Sequence, residues 1–477
     1  MTQALTLTRT QLGPRLLTLA LLGILAGCTS LAPEYIRPAS PVAAGISNEY
    51  SGYVSEIKAA EDLQPYTQWE QLFVDSGLQN LIRQALIQNR DYRIAAFNIE
   101  KVRAQYQISQ ANRLPTIGIS ASGNSTGDAG SSQSNEQQYT ASVGLTSYEL
   151  DFFGRLKSLS DAALAQYLGT QAAQQSLRLS LIAEVANAYY NLAADQANLQ
   201  RIKETLTSRQ ASHELIERRF AAGVIGELDV QQSRVALETA RADLARNALL
   251  VLQDKNALRV LTGGEINAAD LPKLGAGNWR QVVATPQLPT QLKSDILLRR
   301  PDVQRAEYLL QSANANIGAA RAAFFPTITL TTGIGVASSS LSDLFSGGSG
   351  AWLFAPQLTL PIFDGGRNQA NLDAAKAERE IALATYEKTI QQAFREVSNS
   401  LSQTSSDLDR LAAQQSQLAA AKRAYDIAQA RYNSGIGAYL DVLESQRVLY
   451  QVELAFNNLQ LQLVVNQVNL YKATALY

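Results

Sequence analysis

The chain has 477 residues, 41 basic and 42 acidic side chains, a net charge of −1, and one each of cysteine (Cys28), methionine (Met1) and histidine (His213). That arithmetic excludes the basic stripe of a nucleic-acid binder, a structural zinc site of several Cys/His ligands and an intrachain disulfide, and no cofactor is expected. Apolar residues reach 46% but aromatics only 7%, and the alanine behind that difference suits long, closely packed helices.

Arg9 and Arg15 precede the apolar run Leu16–Leu25, which ends in Leu25-Ala26-Gly27-Cys28. A charged start, a short apolar core and small residues before a cut site describe a secretory signal, and the run is far short of the ~20 residues of a spanning helix. Its end resembles a bacterial lipobox. The resemblance implies removal of residues 1–27, acylation of Cys28 (palmitate among the acyl chains) and, with Thr29 in place of a retention aspartate, export to the outer membrane. Acyl chains would anchor the mature chain there. No later stretch of ~20 residues is uncharged and strongly apolar, so a bilayer crossing has to be made by strands closed into a barrel.

The rest is written twice. Ala111-Asn112-Arg113-Leu114-Pro115-Thr116-Ile117 returns as Ala322-Ala323-Phe324-Phe325-Pro326-Thr327-Ile328, Phe153-Gly154-Arg155 as Phe363-Asp364-Gly365-Gly366-Arg367, and Arg219–Ile225 with Leu228-Asp229-Val230 as Arg431–Gly437 with Leu440-Asp441-Val442. One spacing of about 211 residues is too long for a solenoid repeat of ~20–50. The segmentation expected is a signal peptide at 1–27, an N-terminal anchor and equatorial segment at 28–75, repeat 1 at 76–262, an equatorial linker at 263–293 and repeat 2 at 294–477.

In each repeat a helix (about 77–113 and 294–323) runs up to a proline, Pro115 or Pro326, that stops it. Alternating strand-like text follows, at Thr116–Ser122 and Tyr139–Phe152, then Thr327–Ala337 and Trp352–Phe363, each pair separated by a Gly/Ser-rich tip. A run of about 67 residues without proline comes next, roughly 100 Å of helix. A glycine turn then reverses the chain into a last helix, about 227–262 or 438–474, with heptad rows such as Leu440/Leu454/Leu461/Val468 and Leu443/Tyr450/Val464/Tyr471. The lengths suggest end-to-end stacking of 227–262 with 294–323 and of 438–474 with 77–113.

Four strands of about ten residues are long enough to span a bilayer when tilted, yet four cannot close a barrel, and open edges are excluded from lipid. Several copies have to share one, and three give twelve strands. The lipobox, the duplicated Pro-Thr-Ile strand starts, the Phe-Gly-Arg and Phe-Asp-Gly-Gly-Arg helix starts and the Arg431-Tyr432-Asn433-Ser434-Gly435-Ile436…Tyr439-Leu440-Asp441-Val442-Leu443-Glu444-Ser445-Gln446-Arg447 hairpin resemble the TolC/OprM-type outer membrane factors, over essentially the whole mature chain. The resemblance implies an α+β membrane protein: a homotrimer with a twelve-stranded shared barrel continued by a helical coiled-coil periplasmic tunnel. It also implies an outer-membrane exit duct for a tripartite efflux pump, met by a periplasmic membrane-fusion adaptor and, through it, an inner-membrane pump. The lipidated start favours the OprM/NodT branch, whose pumps are usually of the resistance-nodulation-division type. The same fold serves type I protein secretion, the alternative reading. A periplasmic coiled-coil scaffold lipoprotein would lack the strand pairs, and an enzyme lacks a constellation of catalytic side chains at plausible spacing.

By position, Leu440 matches an apolar constriction, Asp441, Glu444 and Asp229 match acidic rings, and Tyr432 and Arg431 match residues that tie neighbouring hairpins shut. Gly223-Val224-Ile225 and Gly435-Ile436-Gly437 match the tips that meet the adaptor. Gly437 stands where TolC carries an arginine of its closing network. Asp441 and Glu444 lie one turn apart on one face, and threefold crowding of carboxyls would raise some pKa values. The alternative stays open for these residues: acidic groups are favoured in a helix's first turn by the backbone dipole, and a leucine at heptad spacing is ordinarily core. His213, beside Glu214 and Glu217, reads as a solvated bystander.

Overall fold

The computed structural model describes residues 30–47, 69–126, 136–272 and 291–474. In order they form β1 (Gly45–Ser47), α1 (Trp69–Leu72), α2 (Ser76–Gln88), α3 (Arg90–Ala111), β2 (Ile117–Thr126), β3 (Glu136–Leu150), α4 (Arg155–Ala221), α5 (Glu227–Thr262), β4 (Gln291–Lys293), α6 (Pro301–Ala322), β5 (Thr327–Ser338), β6 (Gly350–Thr359), α7 (Arg367–Asn433) and α8 (Tyr439–Thr474). The duplication is kept to the residue: α4 and α7 each have 67 residues, and α5 and α8 each have 36. None of the described helices is long and apolar enough to cross a membrane. The chain divides into two compact units, one holding the four long strands and the other most of the helical residues.

In the first unit the strands form an antiparallel sheet in the order β2-β3-β5-β6. Its register sets one chemical type per face, because side chains alternate along each strand. One row across all four strands is Ile119, Val143, Ile334 and Trp352, and the next on that face is Ile117, Leu145, Thr332 and Phe354. The opposite face carries Ser120, Ser142, Gly335 and Ala351. A bulge in β3 between Leu145 and Tyr148 puts Ser147 at φ 54°, and its amide donates to Thr331 Oγ1 at 3.1 Å. Backbones of β3 and β5 approach so closely that a Cβ at Gly144 would collide with the Thr332 carbonyl, a glycine kink of the kind that curves a sheet.

Below the strands each long helix is capped by an aspartate. Asp151 Oδ2 accepts from the Lys157 amide at 2.7 Å, and Asp364 accepts from the Gly366 and Asn368 amides; such caps satisfy orphan first-turn donors. Arg155 donates twice to Glu149, at 2.8 and 2.5 Å. The N-terminal segment lies along α6: Asn314 donates to the Pro33 carbonyl, Arg321 to the Leu31 carbonyl, and Arg37 pairs with Glu307 at 2.8 Å. Cys28 and the signal peptide lie outside the described residues.

In the second unit α2, α4, α5 and α8 share an apolar core that includes Phe73, Leu81, Ile182, Tyr190, Leu192, Leu258, Val464 and Val468. Two expectations need correction here. The helices expected unbroken over 77–113 and 294–323 each break once. Asn89 caps α3 by accepting from the Tyr92 amide at 2.9 Å, and Pro301 starts α6 where its missing N–H costs nothing. The ends of α5 and α8 also meet residues of their own repeat rather than of the other. Asn89 Nδ2 donates to the Leu261 carbonyl at 2.9 Å, and Arg300 Nη1 donates to the Ala473 carbonyl at 2.7 Å. The last-turn carbonyls of α5 and α8 need donors, and the residue at each break supplies one. Arg300 also holds Asp302 and Glu396, both at 2.8 Å.

Candidate functional site at the hairpin ends

Both hairpins reverse by the same backbone device. Gly223, at φ 73°, donates its amide to the Phe220 carbonyl while the Val224 amide reaches the Arg219 carbonyl at 3.0 Å. Gly435, at φ 78°, repeats this with the Tyr432 carbonyl and the Ile436 amide on Arg431. These are Schellman caps, which settle the last carbonyls of a helix and want glycine at the left-handed position. Val224 and Ile436 are left 70% and 72% exposed at the tips. Ile225 instead packs against the small cluster of Ile216, Tyr439 and Val442. Gly437 presses on the Arg431 backbone, where a Cβ would stand 3.0 Å from Arg431 Cβ.

The returning helices start with matched residues. Leu228 and Leu440 are 69% and 56% exposed, so Leu440 is not core within its own chain despite its heptad position. Tyr439 and Val442 turn inward instead. Asp229 lies in the first turn of α5 and Asp441 in that of α8, where the dipole favours carboxylates. Asp229 also adds to the burial that pushes the Tyr439 hydroxyl up to about 12.

Glu444 is paired within its own chain. Arg447, one turn further along α8, donates to both of its carboxylate oxygens at 3.0 and 2.5 Å, and that bond holds the carboxyl below its ordinary value. Within one chain, a cation rather than a second carboxyl sets its charge.

Tyr432 also has an unexpected partner. Arg219 Nη1 donates to its hydroxyl at 2.6 Å, and the guanidinium stands 4.8 Å from the ring centre. The contact ties α4 to α7. Arg219 is the repeat-1 counterpart of Arg431 (219 + 212 = 431), and that correspondence was the available signal. Arg431 itself contributes a backbone carbonyl to the tip.

Higher up the hairpins, Arg209 is only 6% exposed. It donates to the Ala236 carbonyl at 2.9 Å and lies 5.4 Å from the Tyr450 ring centre. Tyr450 in turn donates to Asp243 at 3.1 Å. Burial pulls the Arg209 guanidinium below its ordinary value.

His213 is a correction. It is no solvated bystander: its side chain is 12% exposed, Nδ1 lies 2.7 Å from Ser233 Oγ on α5 and Nε2 lies 3.3 Å from Glu217. Among the described residues no three His, Cys, Asp or Glu side chains come together as metal ligands.

A sheet with one apolar and one hydroxyl-rich face, in a chain that also holds two helical hairpins of equal length, is the make-up of an outer-membrane channel subunit. The family model described as "Outer membrane efflux protein" matches residues 81–264 and 292–476. The chain belongs to that family. It is 44% identical over 466 residues to a protein described as "Probable efflux pump outer membrane protein TtgC" of Pseudomonas putida, covering 96% of this chain and 94% of that one. It is 39% identical over 449 residues to "Cation efflux system protein CusC" of Escherichia coli, covering 94% and 96%. Among solved structures, the open state of the MtrE outer membrane channel of Neisseria gonorrhoeae superposes with a TM-score of 0.83 at 36% identity, covering 94% of this chain and 98% of that one. The protein is an outer-membrane efflux channel component, with the fold of the outer membrane factors.

Proposed function

We propose that three copies close one twelve-stranded barrel and form a passive exit duct, with no catalysis of its own, for a tripartite pump of the resistance-nodulation-division type. One observation carries this reading. β2 and β6 are the outer strands of a four-stranded sheet whose one face is apolar, and a bilayer tolerates such a sheet only when its edges are paired. Other surfaces agree with a shared wall. No residue of α3 is buried within its own chain, and Ile94, Phe97 and Ile108 are exposed along it.

In this reading repeats 76–262 and 294–477 build the wall, 28–75 and 263–293 form the equatorial belt, and Cys28 is acylated in the outer membrane. Leu440, Asp441, Glu444, Asp229, Tyr432 and Arg431 ring the periplasmic entrance. Gly223, Val224, Ile225, Gly435, Ile436 and Gly437 meet the adaptor, and exposed Val224 and Ile436 supply the apolar contacts. Native mass spectrometry of the detergent-extracted chain is expected to give a trimer that conducts in planar bilayers. A monomer without conductance would discard the duct. Co-purification with an adaptor and an inner-membrane pump is the expected companion result.

A further inference from the structure

The two hairpins have the same length and tips but different chemistry between their helices. In the first (α4 with α5), Ser233 Oγ lies 2.8 Å from the Val230 carbonyl, to which it donates, and 2.7 Å from His213 Nδ1. With its proton on Val230, Ser233 is an acceptor, so Nδ1 carries hydrogen. Nε2, facing the Glu217 carboxylate at 3.3 Å, must carry hydrogen as well to make an attractive contact. Both conditions hold together only for the imidazolium. A neutral ring keeps the Glu217 contact only if the serine hydroxyl turns away from Val230 to serve Nδ1. Gaining a proton therefore converts one neutral bond between the helices into a charge-assisted bond plus an ion pair, and charge-assisted bonds are the stronger.

Two aspartates face one another further along the same hairpin. Asp195 on α4 and Asp254 on α5 are half-buried and act on each other, and Asp254 Oδ2 is a buried oxygen with no hydrogen-bond partner. Burial and the facing carboxyl push Asp254 up to about 6, and burial pushes Asp195 up as well. Other groups at these levels do not supply a counter-charge. Asn198 bonds Asn457 and Asn458 of α8 and also Asp195, which partly offsets the burial of that carboxyl; Arg201 is paired with Glu453 at 3.1 Å, and no cation is among the groups acting on either carboxyl. Lys255 follows Asp254 in sequence. On α4 and α5 near this level, Arg209 is committed to the Ala236 carbonyl, Glu214 is exposed and Asp229 half-buried; from α7 and α8 the cluster at the adjacent turn adds the phenols Tyr425, Tyr432 and Tyr439.

The second hairpin has lost these contacts. At the same offset of 212, His213 becomes Tyr425 and Asp254 becomes Asn466. Asn466 donates to the Ser400 carbonyl and Thr404 Oγ1. Asp407, the counterpart of Asp195, is ion-paired with Arg410 at 2.9 Å.

We propose that the first hairpin is a proton-tightened clasp and the second is not: His213 with Ser233 and Glu217, and the facing carboxyls of Asp195 and Asp254, hold α4 to α5 more firmly when protonated. The inference concerns contacts within one chain and does not depend on how many copies assemble. For a carboxyl whose folded value is raised, stability is full at low pH and is lost as pH rises through the folded value.

The test is amide hydrogen exchange on the full-length chain in detergent, corrected for intrinsic rates. Between about pH 7.5 and about pH 5.5, amides of α4 and α5 between Asp195 and Asp254 are expected to slow by about fourfold or more relative to their α7 and α8 counterparts, the Asp254 contribution alone. The double variant His213→Tyr, Asp254→Asn installs the second repeat's residues and should remove that difference. Equal slowing in both hairpins, or an unchanged difference in the variant, would overturn the proposal. Should the double variant not fold, the wild type still decides. His213 is the single histidine, so its ring nitrogen signals in an untagged sample read protonation directly, and α4–α5 amides that do not slow once those signals show the imidazolium would equally overturn it.

Discussion

Arg219 and Tyr432 come from opposite repeats yet share one contact: the guanidinium donates to the phenol at 2.6 Å while standing 4.8 Å from the ring centre. Removing the hydroxyl leaves the stacking, and removing the arginine loses both. Tyr432→Phe is expected to weaken the link between the hairpins by about 1 kcal/mol, and Arg219→Ala by about 1–2 kcal/mol. If this link holds the entrance narrow, planar-bilayer conductance rises in both variants, more for Arg219→Ala. Conductance equal to wild type in both would remove Tyr432 from the entrance.

Glu444 keeps its charge because Arg447 grips it. The folded carboxyl lies below its ordinary value, so its negative charge persists as pH falls and is lost only through that lowered value. Arg447→Ala should move this loss to higher pH. Cation block of the channel, titrated against pH, is expected to disappear earlier on acidification in the variant than in wild type.

Gly223 and Gly435 have open space where a Cβ would be, so alanine there meets no neighbour and its cost is backbone strain alone, about 1–2 kcal/mol at a left-handed position. Gly223→Ala and Gly435→Ala should therefore fray the tips while leaving the helices intact. Circular dichroism would be unchanged, and affinity for an adaptor would fall by roughly tenfold for ~1.4 kcal/mol.

The buried Arg300 guanidinium holds two partly exposed carboxylates and the end of α8. Arg300→Ala removes the guanidinium's bonds to Asp302, Glu396 and the Ala473 carbonyl, a loss of about 1–3 kcal/mol. Thermal unfolding of the extracted protein is expected to shift down well beyond the effect of Arg447→Ala, whose pair is exposed and of the kind worth little.

Much of the architecture was legible because it rests on one-dimensional signals. Pro115 and Pro326 stop helices, and the proline-free stretches from Arg155 and Arg367 continue as helices for 67 residues each. Of the two heptad rows, Tyr450, Val464, Tyr471 and Val468 are buried, Leu443, Leu454 and Leu461 are half-buried, and Leu440 is exposed. What escaped depended on pairing across space. Asn89 breaks a helix without proline or glycine, by offering its side chain to both the Tyr92 amide and the Leu261 carbonyl; nothing in a local window marks it. Arg219, Arg447 and His213 likewise owe their roles to partners on another helix or one turn away. For Arg219 the duplication itself held the clue, because its counterpart Arg431 had already been singled out.

The matched lengths of the two repeats restrict how such a chain can vary. Each residue added to a helix advances its end by 1.5 Å and rotates it by about 100°, so one extra residue in α4 alone would swing the Val224 tip round its axis and out of level with Ile436. An insertion tolerated in one copy would need a twin in the other. Drift in these columns is thus confined to which side chains they carry, the freedom that let His213 and Asp254 part company with Tyr425 and Asn466 while the count of residues stayed frozen.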